Sequence, residues 1–184
     1  MLVEELSLAG YDATRLDLTH RDALQRLHER CVEYIELISG APPAADAAEQ
    51  LLEERPPGTN EDDKLVLGVY SAGQLVAAVD LIRNYPEAGT WWIGNLMVDP
   101  AWRGQGFGAR LYRACEDWLG SQGASKIGLC VQEQNPSACS FWSRMGYRQT
   151  QQVKQRIGSL ESTVAIMYRE LAAEPGVAAD SQPE

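Results

Sequence analysis

Cysteine is scarce in this chain: Cys31, Cys115, Cys130 and Cys139 are the four in 184 residues, and none stands at C-x-x-C spacing. A disulfide scaffold is therefore excluded as the organising device, and reduced, cytoplasmic thiols are the expectation. Histidine is scarcer still. His20 and His28 lack the carboxylate spacing of a metal site, so no metal is expected. Long apolar runs are missing too, since no stretch approaches the roughly 20 residues that cross a bilayer. Glu4 and Glu5 stand where a secretory leader carries basic residues. Positive charge is in deficit, with 16 Lys and Arg against 26 Asp and Glu and a net charge of -10. Nucleic-acid binding relies on clustered Lys and Arg, so a nucleic-acid partner is excluded. A membrane partner is excluded with it.

What is present is the balance of a globular protein, with 45% apolar and 23% charged residues over a length that suits one domain. A short alternating stretch at 11–18 reads as a first strand. Thr19 and Asp22 resemble a capping box opening one helix through Ile38, which Gly40, Pro42 and Pro43 end. A second helix spans about 44–54, inside the most acidic region, 46–63. Lys64 to Tyr70 and Leu75 to Ile82 flank Ser71-Ala72-Gly73-Gln74 as a hairpin, and Thr90 to Val98 is a third strand. Helical spacing over 108–122, a strand at 126–131, a short helix at 136–145 and strands at 147–157 and 163–171 complete the order. This pattern predicts an α/β (α+β) domain over 11–171, a mixed sheet with helices on its faces. Residues 1–10 are an N-terminal segment, and the composition of 172–184 suits a disordered tail.

The chemistry concentrates in Val98-Asp99-Pro100-Ala101-Trp102-Arg103-Gly104-Gln105-Gly106-Phe107-Gly108-Ala109. A strand ends, glycines turn the chain, and a helix begins near Gly108. Such a turn brings backbone N–H groups together at a helix N-terminus, a favourable place for phosphate. Arg103, Arg110 and Arg113 make it the basic spot of an acidic chain. A P-loop is excluded because no Gly-Lys-Ser/Thr follows. Gly104 to Ala109 fits the dinucleotide G-x-G-x-x-A pattern, but Asp99 to Arg103 separate it from its strand, and no acid ends the next one.

Arg103-Gly104-Gln105-Gly106-Phe107-Gly108 resembles the Arg/Gln-x-x-Gly-x-Gly/Ala motif of the GCN5-related N-acetyltransferases (GNAT), and Val98-Asp99-Pro100 resembles the V-x-P before it. Asn135-Pro136-Ser137-Ala138-Cys139-Ser140-Phe141-Trp142-Ser143-Arg144-Met145-Gly146-Tyr147 is similar to the family's second signature. The resemblance implies a mostly antiparallel sheet of about seven strands flanked by about four helices, and N-acetyl transfer from acetyl-CoA to a primary amine by direct attack. Arg103, Gly104, Gln105, Gly106, Phe107, Gly108 and Ala109 would hold the pyrophosphate. Leu96, Met97 and Val98 would pair with the pantetheine arm, and Asn135 and Trp142 would contact it. The acceptor could be a small-molecule amine, an antibiotic, a polyamine or a protein N-terminus, and a homodimer is compatible.

The family's usual catalytic glutamate falls at Gly94 and its usual tyrosine at Trp142, whose indole N–H is no proton donor at useful pH. Catalysis would then rest on positioning, on a backbone N–H at Met97 and on Cys139 as a substitute acid. Tyr34, Glu36, Trp92 and Gly94 are the expected acceptor-side residues. Because of Gly94 and Trp142, a coenzyme A-binding regulatory domain without turnover is the alternative.

Overall fold

A computed structural model describes residues 12–171. The N-terminal segment and the tail at 172–184 lie outside the described residues. The strands are β1 (Asp12–Arg15), β2 (Lys64–Ser71), β3 (Gln74–Arg83), β4 (Thr90–Val98), β5 (Lys126–Gln132), β6 (Arg148–Ile157) and β7 (Leu160–Glu170). The helices are α1 (Arg21–Arg30), α2 (Val32–Ser39), α3 (Ala47–Glu53), α4 (Phe107–Ser121) and α5 (Pro136–Arg144). The strands form one sheet in the order β1-β2-β3-β4-β5-β7-β6, in which β4 and β5 are parallel and the other neighbours antiparallel.

Central strands rich in Val, Leu, Ile and Ala are buried on both faces because helices cover both sides. On one face Leu24, Leu27, Cys31 and Ala48 from α1 to α3 pack on Val66, Ala78 and Met97. On the other, Phe107, Leu111, Cys115 and Leu119 of α4 and Trp142 of α5 pack on Leu67, Val79, Ile93 and Leu129. The β2–β3 hairpin turns through Ala72 and Gly73, both at positive φ, as a two-residue turn requires.

Two expectations at the start of the chain are corrected. The 3-10 turn Leu18–His20 is capped by Asp17, whose carboxylate accepts from the Thr19 N–H at 2.9 Å, and not by Thr19. The single helix expected through Ile38 is two helices, parted at Cys31, where ψ swings to 25°. Its apolar stripe runs on across the break, so spacing alone hides it. That split makes five α-helices among the described residues where about four were expected. The turn between β6 and β7 reaches the end of α2, with the Ser159 N–H donating to Ser39 O at 3.0 Å. Among the described residues no helix is long and apolar enough to cross a membrane.

Candidate active site

The parallel pairing of β4 and β5 runs from Thr90↔Lys126 to Ile93↔Leu129 and then stops, so the strands part like a V. Beyond Ile93, β4 remains paired with β3 alone, through Val98↔Ala77 and Met97↔Ala78. In an antiparallel ladder, alternate residues turn their N–H and C=O to the same neighbour. Asp99 donates its N–H to Val76 O at 2.9 Å, so Met97, two residues back, also spends its N–H on β3. Leu96 and Val98 face the open edge. The Val98 carbonyl confirms this phase, accepting at 2.8 Å from Arg103 Nε, which comes from outside the sheet. The N–H of Met97 therefore faces β3, and the N–H groups on the open edge are those of Leu96 and Val98.

After β4, Asp99 caps the 3-10 turn Pro100–Trp102 and receives Arg30 Nε at 2.5 Å, which ties α1 to the turn. Burial alone would raise the Asp99 carboxyl, but Arg30 and the Ala101 N–H hold it below its ordinary value. Gly104 and Gly106 have φ of 76° and 74°, and Gly106 caps α4 in the left-handed conformation. Glycine is needed at both, because a Cβ is strained there. The helix starts at Phe107, where Arg110 N–H bonds back to Gly106 O at 3.1 Å.

The side chains of this segment are less available than its motif suggests. Arg103 Nη1 meets Glu33 at 2.6 Å, so its guanidinium fastens the turn to β4 and α2. Phe107 is buried against Trp102, and Gln105 gives its carbonyl to Arg110 Nη1 at 3.1 Å. What the turn offers an anion is backbone, at Gly104, Gly106, Gly108 and Ala109. Asn135 Oδ1 caps α5 by accepting the Ala138 N–H at 3.1 Å, leaving its amide nitrogen to meet a ligand. Trp142 is an aromatic-core residue, edge-on to Tyr112 at 5.3 Å and to Tyr147 at 5.2 Å, with part of its surface on the cavity.

One cavity of about 760 Å³ joins these parts, a volume suited to a cofactor-sized ligand. Leu96, Met97, Val98, the turn glycines, Ala109, Asn135, Ala138 and Trp142 line it, and so does Arg144, which the sequence reading missed. Its other end is lined by Tyr34 of α2, Gly94 and Asn95 of β4, and Cys130 and Gln132 of β5. Burial pushes the Tyr34 hydroxyl up to about 12, and the neighbouring Cys130 and Cys31 thiols add to it. It therefore stays protonated, as a donor. Gln132 Nε2 donates to Ile38 O at 2.7 Å, while its Oε1 is buried without a hydrogen-bond partner.

Gln105 and Phe107 lie outside the lining, and three further expected residues stand elsewhere. Trp92 lies edge-on between Tyr85 at 5.7 Å and Tyr168 at 6.0 Å, outside the cavity lining. It stands where β4 still pairs with β5, and a bulge follows: Leu81 pairs with Ile93 and Asp80 with Asn95, which leaves Gly94 as the extra residue. Glu36 is exposed on α2 away from the lining, and Cys139 also lies outside it. The thiol that does face the cavity is Cys130, which no motif marks.

The family model described as Acetyltransferase (GNAT) family matches residues 22–147. An acetyltransferase from Thermus thermophilus shares the fold at TM-score 0.68 and 22% identity, covering 91% of this chain and 99% of that one. The ribosomal-protein-S18-alanine N-acetyltransferase from Escherichia coli does so at 0.67 and 16%, covering 90% and 97%. The PaiA N-acetyltransferase from Thermoplasma acidophilum, solved with coenzyme A, gives 0.62 and 15%, covering 88% and 99%. No curated protein matches the chain significantly.

Proposed function

The chain belongs to the GNAT acetyltransferase family, and from that premise we propose that it transfers an acetyl group from acetyl-CoA to a primary amine by direct attack in a ternary complex. The observation that carries this reading is the V between β4 and β5, whose open edge and glycine turn share one cavity. In this reading the turn amides and the start of α4 take the pyrophosphate, with Arg144 nearby. The Val98 N–H, nearer the turn, pairs with the pantetheine arm as a strand would. The Leu96 N–H, nearer Gly94, donates to the thioester oxygen as negative charge develops on it. No metal is needed for these roles.

The coenzyme A-binding regulatory alternative is favoured by the glycine at 94 and the core position of Trp142. Turnover separates the two readings. Calorimetry with acetyl-CoA and thiol release with butylamine, putrescine and a peptide with an alanine N-terminus are the tests. Thiol release above the hydrolytic background supports the transferase. Tight binding with no release on any amine selects the regulatory domain.

A further inference from the structure

On β3, beside the place where relatives carry a carboxylate, this chain buries one of its own. Asp80 pairs with Asn95 across the ladder, and its side chain is 10% exposed. Lys64 on β2, itself 7% exposed, brings Nζ to 2.8 Å from Asp80 Oδ1. That ammonium is the charged partner of Oδ1. The other oxygen points at Gly94. A Cβ built on Gly94 would stand 2.5 Å from Asp80 Oδ2. Gly94 and Asn95 both line the cavity and Asp80 does not, so the carboxylate stands behind Gly94, which places no side chain against it. The glycine and the aspartate are two halves of one arrangement. A side chain at 94 would collide with the carboxylate.

Resting on the acetyltransferase reading, we propose that Asp80 supplies from β3 the carboxylate absent at position 94 and accepts the proton that the acceptor amine must lose. An ammonium R–NH3+ gives one proton to Asp80, directly or through one water. The neutral nitrogen attacks the thioester carbon, the C–N bond forms and the C–S bond breaks. The sulfur leaves with the bonding pair as thiolate and takes a second proton from the nitrogen. The proton on Asp80 then returns to solvent, and amide and free thiol are released.

Lys64 of β2 is the charged group set against Asp80, while β4 offers the neutral Gly94 and Asn95. Tyr34 of α2 stands behind Asn95, its hydroxyl 3.5 Å from Asn95 Oδ1. Burial pushes the Asp80 carboxyl above its ordinary value and Lys64 pulls it back, the burial effect being the larger. A raised carboxyl is a better proton acceptor near neutral pH. Lys64 favours the ionised form of the carboxylate.

The test uses the full chain, calorimetry with acetyl-CoA and thiol release on whichever of butylamine, putrescine or the alanyl peptide the unmodified protein accepts. Asp80→Asn should leave acetyl-CoA affinity intact and lower kcat by at least about 100-fold. The acidic limb of its pH profile should disappear. Should Asp80→Asn fail to fold with Lys64 unpaired, Lys64→Met combined with Asp80→Asn removes the stranded charge and carries the same expectation. The exchange Asp80→Gly with Gly94→Glu returns a carboxylate beside Lys64 from the other strand. It should recover at least about a tenth of the original kcat, where Asp80→Gly alone does not. A kcat within about threefold of the original in a folded Asp80→Asn protein overturns the proposal. A loss that the folded exchange variant leaves in place makes Asp80 structural and also overturns it. No thiol release by the unmodified protein is a different result, which removes the transferase reading and this inference together.

Discussion

The wall formed by the open edge of β4, the glycine turn and the start of α4 presents mostly backbone, whereas the facing wall presents side chains from α2 and β5. Backbone donors recognise what every acyl-coenzyme A has in common, an amide-bearing arm and a pyrophosphate. Their geometry follows from the strand, the two left-handed glycines and the helix start. The side-chain wall gathers Tyr34, Cys130 and Gln132, which can change without altering the fold. Conserving a cofactor and varying an acceptor therefore place different demands on sequence. A short contiguous motif meets the first, and scattered positions joined by topology meet the second.

The contrast is broken most sharply at Gly106. Gly106→Val adds a side chain to the backbone wall at a φ of 74° that valine avoids. Acetyl-CoA affinity should fall at least about tenfold, about 1.4 kcal/mol. Calorimetry on the folded variant checks it, and unchanged affinity would detach the pyrophosphate from this turn. Tyr34→Phe probes the other wall. Loss of one hydroxyl donor should raise the amine KM about fivefold, about 1 kcal/mol, and leave acetyl-CoA affinity as it was. Equal losses for both substrates in steady-state kinetics would mean the walls are not separable.

A smaller effect is one of pH. His28 is buried in α1, its Nδ1–H donating to Leu24 O at 2.9 Å. Burial lowers its pKa from 6.5, so the unfolded chain takes up the proton first as pH falls. Its contribution to stability is complete above pH 6.5 and is lost as pH drops below that value toward the folded one. The slope cannot exceed about 1.4 kcal/mol per pH unit, so the melting temperature should fall by roughly a few degrees per unit at most. His28→Gln should flatten that dependence. A slope unchanged by His28→Gln would assign it to other groups. The smallest effect belongs to Cys139→Ser, which lies outside the cavity and should leave kcat within about twofold.

Much of the backbone wall was legible in the sequence. Arg103 to Ala109 and Asn135 lie in two continuous segments, and β4 has the same bounds, Thr90–Val98, in both readings. The phase of its edge was not legible. Whether the N–H of Leu96 or of Met97 faces the V depends on which residue of β3 it opposes, and V-x-P does not encode that. Trp92 was misplaced because it lies where β4 and β5 are still paired, short of the V. Cys139 sits inside a motif and Cys130 outside one, yet only Cys130 lines the cavity, because α5 turns Cys139 away while the departing end of β5 exposes Cys130. Asp80 carried no local signal. Its meaning arises only when β3 is paired with β4 and the residue opposite proves to have no side chain.

The parting of β4 and β5 also bears on where the fold's stability resides. A sheet that stops pairing halfway along a strand leaves peptide groups to water that a neighbouring strand would otherwise bind, and Leu96 and Val98 carry them here. A ligand that pairs with those groups completes a stretch of ladder without belonging to the chain. Part of the free energy holding the sheet together is then supplied from solution. At free ligand one hundred times its dissociation constant that share is about 2.7 kcal/mol. The protein's resistance to unfolding and proteolysis would thus follow the supply of its own co-substrate, rising and falling with the acyl-coenzyme A level around it.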